Sequence, residues 1–292
     1  MNIIVGCGYL GREVCKLLPE RDVQSLCCVV RTQASAELLH AHALPEKCID
    51  LDQLDDDFDW PELSHSQLYF FAPPSATDET DHRMRTFLTL CQHHTPRRIV
   101  YISTSGVYGD CQGAWVDENT PCNPLTARAQ RRYDAEQALM AFCESASCEY
   151  MILRVGGIYG PERLPLTRLQ NIKVIDPAQA PYSNRIHISD LAHVCIQAMQ
   201  AQCHNQVFNV ADQMSTSMSD YFIKLADFAG LPAPECVPLA DAHDALSPAM
   251  LSFINESRRM RTTKMTQMLK IKLRFPDLHS GLTDCFAKLN TP

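Results

Sequence analysis

An α/β protein built on a doubly wound parallel sheet is the fold class that this 292-residue sequence predicts, on three observations. Short apolar runs recur with helix-length stretches between them. The first run breaks into glycines and opens a helix, and beyond Gly160 the alternation thins and prolines punctuate the chain. Alternating strands and helices favour a parallel sheet covered on both faces. Ligands of such sheets lie at the carboxyl ends of the strands, so a Rossmann-type sheet with a small C-terminal, substrate-side lobe over those ends is the expected form.

The elements follow in order. MNIIVGCGYLG reads as a strand, a glycine turn and the approach to a helix pattern over residues 12–18. Further strand-like runs occupy residues 26–30, 68–72, 99–103 and 150–155, and a short strand precedes Asp50. Residues 126–142, rich in alanine, arginine, glutamine and leucine, favour a helix. Pro161, Pro165, Pro177 and Pro181 mark loops, residues 207–210 read as a strand returning to the sheet, and residues 232–248 read as loop. The expected organisation is a dinucleotide-binding core over residues 1–160 and a mixed portion over 161–292, with 185–211 returning to the core.

Composition excludes several classes. Hydrophobic residues at 46% and charged residues at 21% exclude collagen-like and low-complexity chains. With 26 lysines and arginines against 34 acidic residues, the net charge of −8 supplies no global field toward nucleic acid, so any anion site is local. No apolar run approaches the roughly 20 residues of a membrane helix. The N-terminus lacks the basic start and apolar middle of a secretory signal, so a cytoplasmic protein with no membrane partner is expected. The 14 cysteines are scattered without a C-x-x-C pair and read as reduced thiols, with no metal site. The run Asp55, Asp56, Asp57 and Asp59 reads as a solvated loop.

Gly6, Gly8 and Gly11 spell G-x-G-x-x-G directly after a strand and at a helix start, the context that gives the motif meaning. Gly6 allows the tight turn, Gly8 the approach of backbone to a pyrophosphate, and Gly11 close helix packing, while the helix N-terminus offers N–H groups to the anion. A glycine turn without ligand is the alternative. An NAD site usually carries an acidic residue after the second strand; here Arg31 and Thr32 follow it, which suits a 2′-phosphate and favours NADP(H), with NAD(H) the alternative. Asp50 is a candidate for the adenine edge.

Residues 101–109, YISTSGVYG, resemble the strand-and-turn signature of the extended short-chain dehydrogenase/reductase superfamily, the NAD-dependent epimerase/dehydratase-like proteins. Residues 117–124 resemble its acidic-then-proline loop, RVGGIYGP at 154–161 its R-x-x-x-x-Y-G-P turn, and RIHISDLA at 185–192 its I-H-x-x-D-L-A helix start. Phe208-Asn209-Val210 matches the late strand, and FPDLHSGL at 275–282 is a weaker echo. The resemblance implies a cofactor set of Gly6, Gly8, Tyr9, Leu10, Gly11, Arg31, Thr32, Asp50, Leu51, Ala72, Pro73, Ser103 and Arg132. It implies substrate contacts at Thr104, Tyr108, Arg128 and Gly157, and homodimerisation through helices beside the sheet, although no decisive apolar stripe marks the face.

Two departures matter. The family pairs a tyrosine with a lysine four residues on; aligned through Pro124 and Glu136, those positions hold Arg128 and Arg132. A guanidinium stays protonated, so Arg128 cannot act as general base, whereas Arg132 can still donate to ribose hydroxyls. Tyr133 faces roughly 100° away along the helix. Arg128 and Arg132 share a helix face, which suits an anion between them; alternatively both meet solvent and Arg132 pairs with Glu136. Second, extended members space their glycines G-x-x-G-x-x-G, where this chain has Val5, which places it in an atypical branch. Nucleotide-sugar enzymes often carry an arginine where Ser183 stands, which weakens that substrate class. His187, between Ile186 and Ile188, reads as a buried structural residue.

Arg258, Arg259, Arg261, Lys264, Lys270, Lys272 and Arg274 form a basic stretch, read as an amphipathic helix with Met260, Met265, Met268 and Leu269 inward rather than a nucleic-acid contact. The leading expectation is an NAD(P)-binding, epimerase/dehydratase-like oxidoreductase acting on a small, anionic substrate. In it Thr104 positions a substrate oxygen, Arg128 stabilises negative charge, and Arg132 completes the catalytic set. An inactive NADP(H)-binding redox or metabolite sensor is the alternative, and an interaction protein with an empty site a third.

Overall fold

Odd and even positions of a strand face opposite sides of a sheet, and here the helices divide accordingly. The computed structural model describes residues 1–23, 25–55 and 57–289. Its central sheet comprises β1 (Asn2–Val5), β2 (Leu26–Val30), β3 (Glu46–Cys48), β4 (Gln67–Phe70), β5 (Arg98–Thr104), β6 (Glu149–Val155) and β7 (Gln206–Val210). The order is β7-β6-β5-β4-β1-β2-β3, with every neighbouring pair parallel. The connections reverse direction at β1, between β2 and β4, and a crevice outside the carboxyl ends of such strands is where ligands bind.

Ile4, Cys28, Val100 and Leu153 turn to one face, against α1 (Tyr9–Leu17), α2 (Gln33–Ala41) and α5 (Ile188–Gln200). Ile3, Val5, Leu68 and Ile99 turn to the other, against α3 (His82–His93) and α4 (Ala127–Ser145). Burying each such aliphatic side chain stabilises the fold by roughly 1.5–3 kcal/mol. Local capping sets the helix starts: the side chains of Thr32, Asp81 and Thr126 accept from backbone N–H groups in the first turns of α2, α3 and α4.

Beyond β6 the chain builds a smaller substructure. Residues Gly157–Tyr159 pair with Arg185–His187, Lys173–Ile175 with Glu235–Val237, and Trp115–Val116 with Arg259–Met260, all parallel. The helices α6 (Met218–Phe228) and α7 (Leu278–Leu289) pack around Tyr159, Leu169 and Tyr221.

Several expectations are corrected. The basic stretch is not one helix: Arg259–Met260 is a strand, Thr263–Met268 a short helix, and the chain then runs irregularly. Met260, Met265 and Leu269 do point inward, but Met268 is 42% exposed and Arg258 is buried. Pairing with Trp115–Val116, not local amphipathicity, sets that geometry. Residues 232–248 contain a strand at Glu235–Val237 and a helical turn at Ala242–Ala245. The first helix begins at Tyr9, three residues before its polar periodicity shows. Asp55, Asp57 and Asp59 are exposed, and Asp56 lies outside the described residues. Among the described residues no helix is long and apolar enough to cross a membrane, and all 14 cysteines are free.

Candidate functional site

The glycine turn leaves β1 with its backbone tightly engaged. The N–H groups of Gly6 and Cys7 both donate to Val29 O at 2.9 Å, and that of Gly8 to Gly6 O at 2.7 Å. Gly6 has φ +82°, and a Cβ there would fall 2.5 Å from Ala72 N, so only glycine fits where β1 meets the end of β4. A Cβ on Gly8 would meet only Gly6 O, at 3.9 Å, which leaves open space in front of the turn. No side chain caps α1 at Gly8 and no acidic residue occupies its first turn, so the first N–H groups of this helix remain for an anion. The side chains of Tyr9 and Leu10 are buried, so they present backbone, not side chain, to that space. These features fit the pyrophosphate of a dinucleotide.

Around the turn, the expected cofactor residues divide. Arg31 follows β2 with a side chain 57% exposed, its Nη1 3.9 Å from Asp52 Oδ2. Thr32 is otherwise employed: its Oγ1 accepts from Ser35 N at 3.3 Å as the cap of α2, a use that explains a hydroxyl there without any phosphate. Asp50 turns the chain by accepting from Asp52 N at 3.0 Å, and Leu51 is buried in the core. Arg83 ties this segment to the end of β4, donating to Asp52 Oδ1 at 2.7 Å and to Pro73 O at 2.8 Å. The paired guanidinium holds the Asp52 carboxyl below its usual range.

A cavity of about 950 Å³ opens beside the ends of β5 and β6. Thr104 and Gly157 line it, as does Arg128 at the start of α4. Thr104 Oγ1 accepts from Gly106 N at 3.2 Å, which leaves its own O–H to donate. The smaller substructure contributes residues that sequence reasoning missed: Arg168, Lys173, Arg185, Tyr221, Glu256 and Arg258. Among the described residues, five cations and one carboxylate thus line the cavity. Lys173 is paired with Glu235 and Arg258 with Glu256, at 2.8 and 2.9 Å. The Arg185 guanidinium lies 3.8 Å from the centre of the Tyr221 ring, with its buried Nε unpartnered, and burial lowers its pKa. Glu256 is 7% exposed and has Oε1 without a partner. Arg258 also donates to Gly109 O at 2.7 Å, and its Nη2 reaches Ser105 Oγ at 3.5 Å, next to Thr104.

Two expected ligand contacts turn out to be scaffold. The Ser103 side chain donates to Glu136 Oε1 at 2.5 Å and is thereby spent on the scaffold. Tyr108 is buried, donates to Asn209 Oδ1 at 2.7 Å and accepts from Arg154 Nη1 at 3.1 Å, so its phenol is no substrate contact. Arg154 in turn donates to Glu136, at 2.8 Å from Nη2. Glu136 therefore pairs with Arg154, not with Arg132. Arg132 Nη1 donates to Ile102 O at 2.9 Å and to Tyr101 Oη at 3.3 Å, which fastens it to β5. Arg128 lines the cavity, whereas Arg132 is not among its lining residues. Tyr133 packs beside Val107 and Tyr108. His187 caps α5, accepting from Ser189 N at 3.3 Å, and burial holds it down to about 4.

Comparison with known proteins decides the family. The model of the NAD dependent epimerase/dehydratase family matches residues 3–211, most of the chain. The chain belongs to the NAD-dependent epimerase/dehydratase family. Among curated relatives, "Protein YeeZ" of Escherichia coli K12 is 27% identical over 143 residues, which are 49% of this chain and 50% of that protein. The chain thus matches about half the length of this relative. A functionally unknown conserved protein from Silicibacter pomeroyi has a structure similar over 98% of both chains, with a TM-score of 0.83 and 27% identity. The UDP-glucose 4-epimerase of Thermotoga maritima, solved with UDP-glucose, covers 99% of this chain and 98% of its own, with a TM-score of 0.77 and 17% identity, a likeness of fold. In this chain the turn after β1 carries Gly6, Gly8 and Gly11, Thr104 ends β5, and Arg128 and Arg132 lie one turn apart in α4.

Proposed function

We propose that this epimerase/dehydratase-family chain is an NADP(H)-favouring oxidoreductase or epimerase whose substrate is a small anion, nucleoside-diphosphate sugars being the first class to test. The observation that carries this reading is the cavity wall, where among the described residues Arg128, Arg168, Lys173, Arg185 and Arg258 are lined up with one carboxylate, Glu256, and the cations outnumber their carboxylate partners Glu235 and Glu256 in a chain of net charge −8. Such a wall concentrates an anion that the molecule as a whole repels. The dinucleotide would be held by Gly6, Gly8 and Gly11 and the N-terminus of α1, with Arg31 available to a 2′-phosphate. When bound, it supplies hydride acceptance or donation.

The chain's own residues do the rest. Thr104 donates to a substrate oxygen, and Arg128 stabilises negative charge there. Arg128 cannot take a proton, so another group must carry it. Glu256 lines the cavity, with a buried Oε1 that has no partner and its other oxygen held by Arg258, and is the carboxylate we assign to this task.

Calorimetric titration of the NADP⁺-loaded protein with UDP tests the cavity. One equivalent should bind, and Arg128→Ala should weaken binding by about 5- to 10-fold, as for loss of one charge-assisted contact of about 1 kcal/mol or more. UDP binding that ignores Arg128→Ala and Arg168→Ala would overturn the assignment. With a substrate in hand, Glu256→Gln should keep binding and lose at least about 100-fold in turnover. Dinucleotide binding without turnover of any such sugar would favour a sensor instead.

A further inference from the structure

Beneath the glycine turn, three thiols from three different elements meet in the core. Cys7 belongs to the turn itself, Cys15 to α1 and Cys28 to β2, and all three are buried. Cys15 Sγ and Cys28 Sγ lie 3.6 Å apart, and the three sulfurs lie within 4.8 Å of one another. The backbone builds this arrangement. Cys7 N–H donates to Val29 O at 2.9 Å, which seats Cys7 over β2, and Gly11 leaves room for its sulfur, since a Cβ there would fall 2.9 Å from Cys7 Sγ.

We propose that Cys7, Cys15 and Cys28 form a three-sulfur binding site for a soft, thiophilic cation, Cu(I) in particular. Thiolates select soft ions. At a metal–sulfur length of about 2.3 Å a trigonal site spaces its sulfurs about 4.0 Å apart. That value falls between the 3.6 Å pair and the 4.8 Å limit observed. A structural zinc site is four-coordinate, and among the described residues the cluster offers three ligating side chains, which favours a three-coordinate ion. Electrostatics assist: the positive end of α1 begins just after Cys7. Binding transfers no electron and joins no sulfurs; each thiol that becomes a ligand releases its proton to solvent. The site is invisible in the amino-acid order, because spacings of 8 and 13 residues match no metal motif.

The test is an anaerobic titration of the reduced full chain with Cu(I) supplied on the chromophoric chelator bicinchoninate. A Cys48→Ser/Cys236→Ser background removes the two exposed thiols. One equivalent should leave the chelator, and X-ray absorption should show three sulfurs at about 2.3 Å. Cys28→Ala and, separately, Cys15→Ala should each weaken retention by at least about 100-fold, beyond what loss of an outer-shell partner causes. The sulfur count needs no variant, so it stands even where a variant misfolds. Copper left on the chelator, a shell of two sulfurs or of nitrogen and oxygen, retention unchanged in both variants, or a Cys15–Cys28 disulfide formed in place of binding would each overturn the proposal.

Discussion

Gly6 and Gly8 sit two residues apart and do different work. Gly6 is required by the backbone: its φ is +82° and a Cβ would strike Ala72 N at 2.5 Å. Gly8 faces open space, so its missing side chain serves whatever approaches the turn. Gly6→Ala should therefore destabilise the fold by about 2 kcal/mol or more, through backbone strain and a clash that neither strand end can relieve. Gly8→Ala should retain a cooperative thermal transition close to that of the parent and still weaken dinucleotide binding at least about 10-fold, because its methyl group occupies the approach of the pyrophosphate. Thermal denaturation and calorimetry on the two variants separate the roles. Equal loss of stability in both would contradict them.

At the scale of elements, the motifs that made the family legible are largely one buried hydrogen-bond network. Ser103 of β5, Glu136 of α4, Arg154 of β6, Tyr108 and Asn209 of β7 are joined by contacts of 2.5 to 3.2 Å. Asn209 extends the network to Glu118, which accepts from its N–H at 2.8 Å. Glu136 is 0% exposed, so Glu136→Gln leaves the Arg154 charge buried and poorly compensated. Such changes cost about 3–5 kcal/mol, readable as a drop in the urea midpoint at unchanged slope; a midpoint within experimental error of the parent would contradict the account.

The strands were legible because alternation and apolar runs are local signals, and each expected run lies within two residues of a strand. The side chains of Ser103 and Tyr108 are engaged by the scaffold, which a motif does not show, because it reports that a residue type is needed, not whether a ligand or the scaffold needs it. Arg258 and Glu256 were invisible as site residues: only the pairing of Arg259–Met260 with Trp115–Val116 turns that stretch toward the cavity. Arg185 could have been found, since it stands inside the I-H segment two residues before His187.

Across the whole molecule, the sheet and the smaller substructure meet around two buried titratable groups with opposite pH behaviour. Burial holds His187 down to about 4 from 6.5, so its contribution to stability is complete above pH 6.5 and is lost as pH falls toward 4. Burial pushes Asp212 up to about 7 from 3.8, so its contribution is complete below pH 3.8 and is lost as pH rises toward 7. Between these limits the two oppose each other. His187→Asn, which keeps a helix-capping side chain, should leave a Tm that falls between about pH 4.5 and 6.5 more steeply than the parent's. Asp212→Asn should leave one that rises. Parallel profiles for parent and both variants would show that neither group controls stability.

The same assembly places the glycine turn, Arg31 and the cation-lined cavity along the carboxyl edge of the sheet, where the proposed function requires a dinucleotide. The decisive measurement is calorimetric titration of the folded protein, stripped of nucleotide, with NADPH, NADP⁺, NADH and NAD⁺ in turn. One nucleotide per chain should bind, with the phosphorylated pair at least about 10-fold tighter, as for one charge-assisted contact worth about 1.4 kcal/mol or more. That preference should vanish in Arg31→Ala. Binding of none of the four to a protein shown to be folded would contradict the account at its centre.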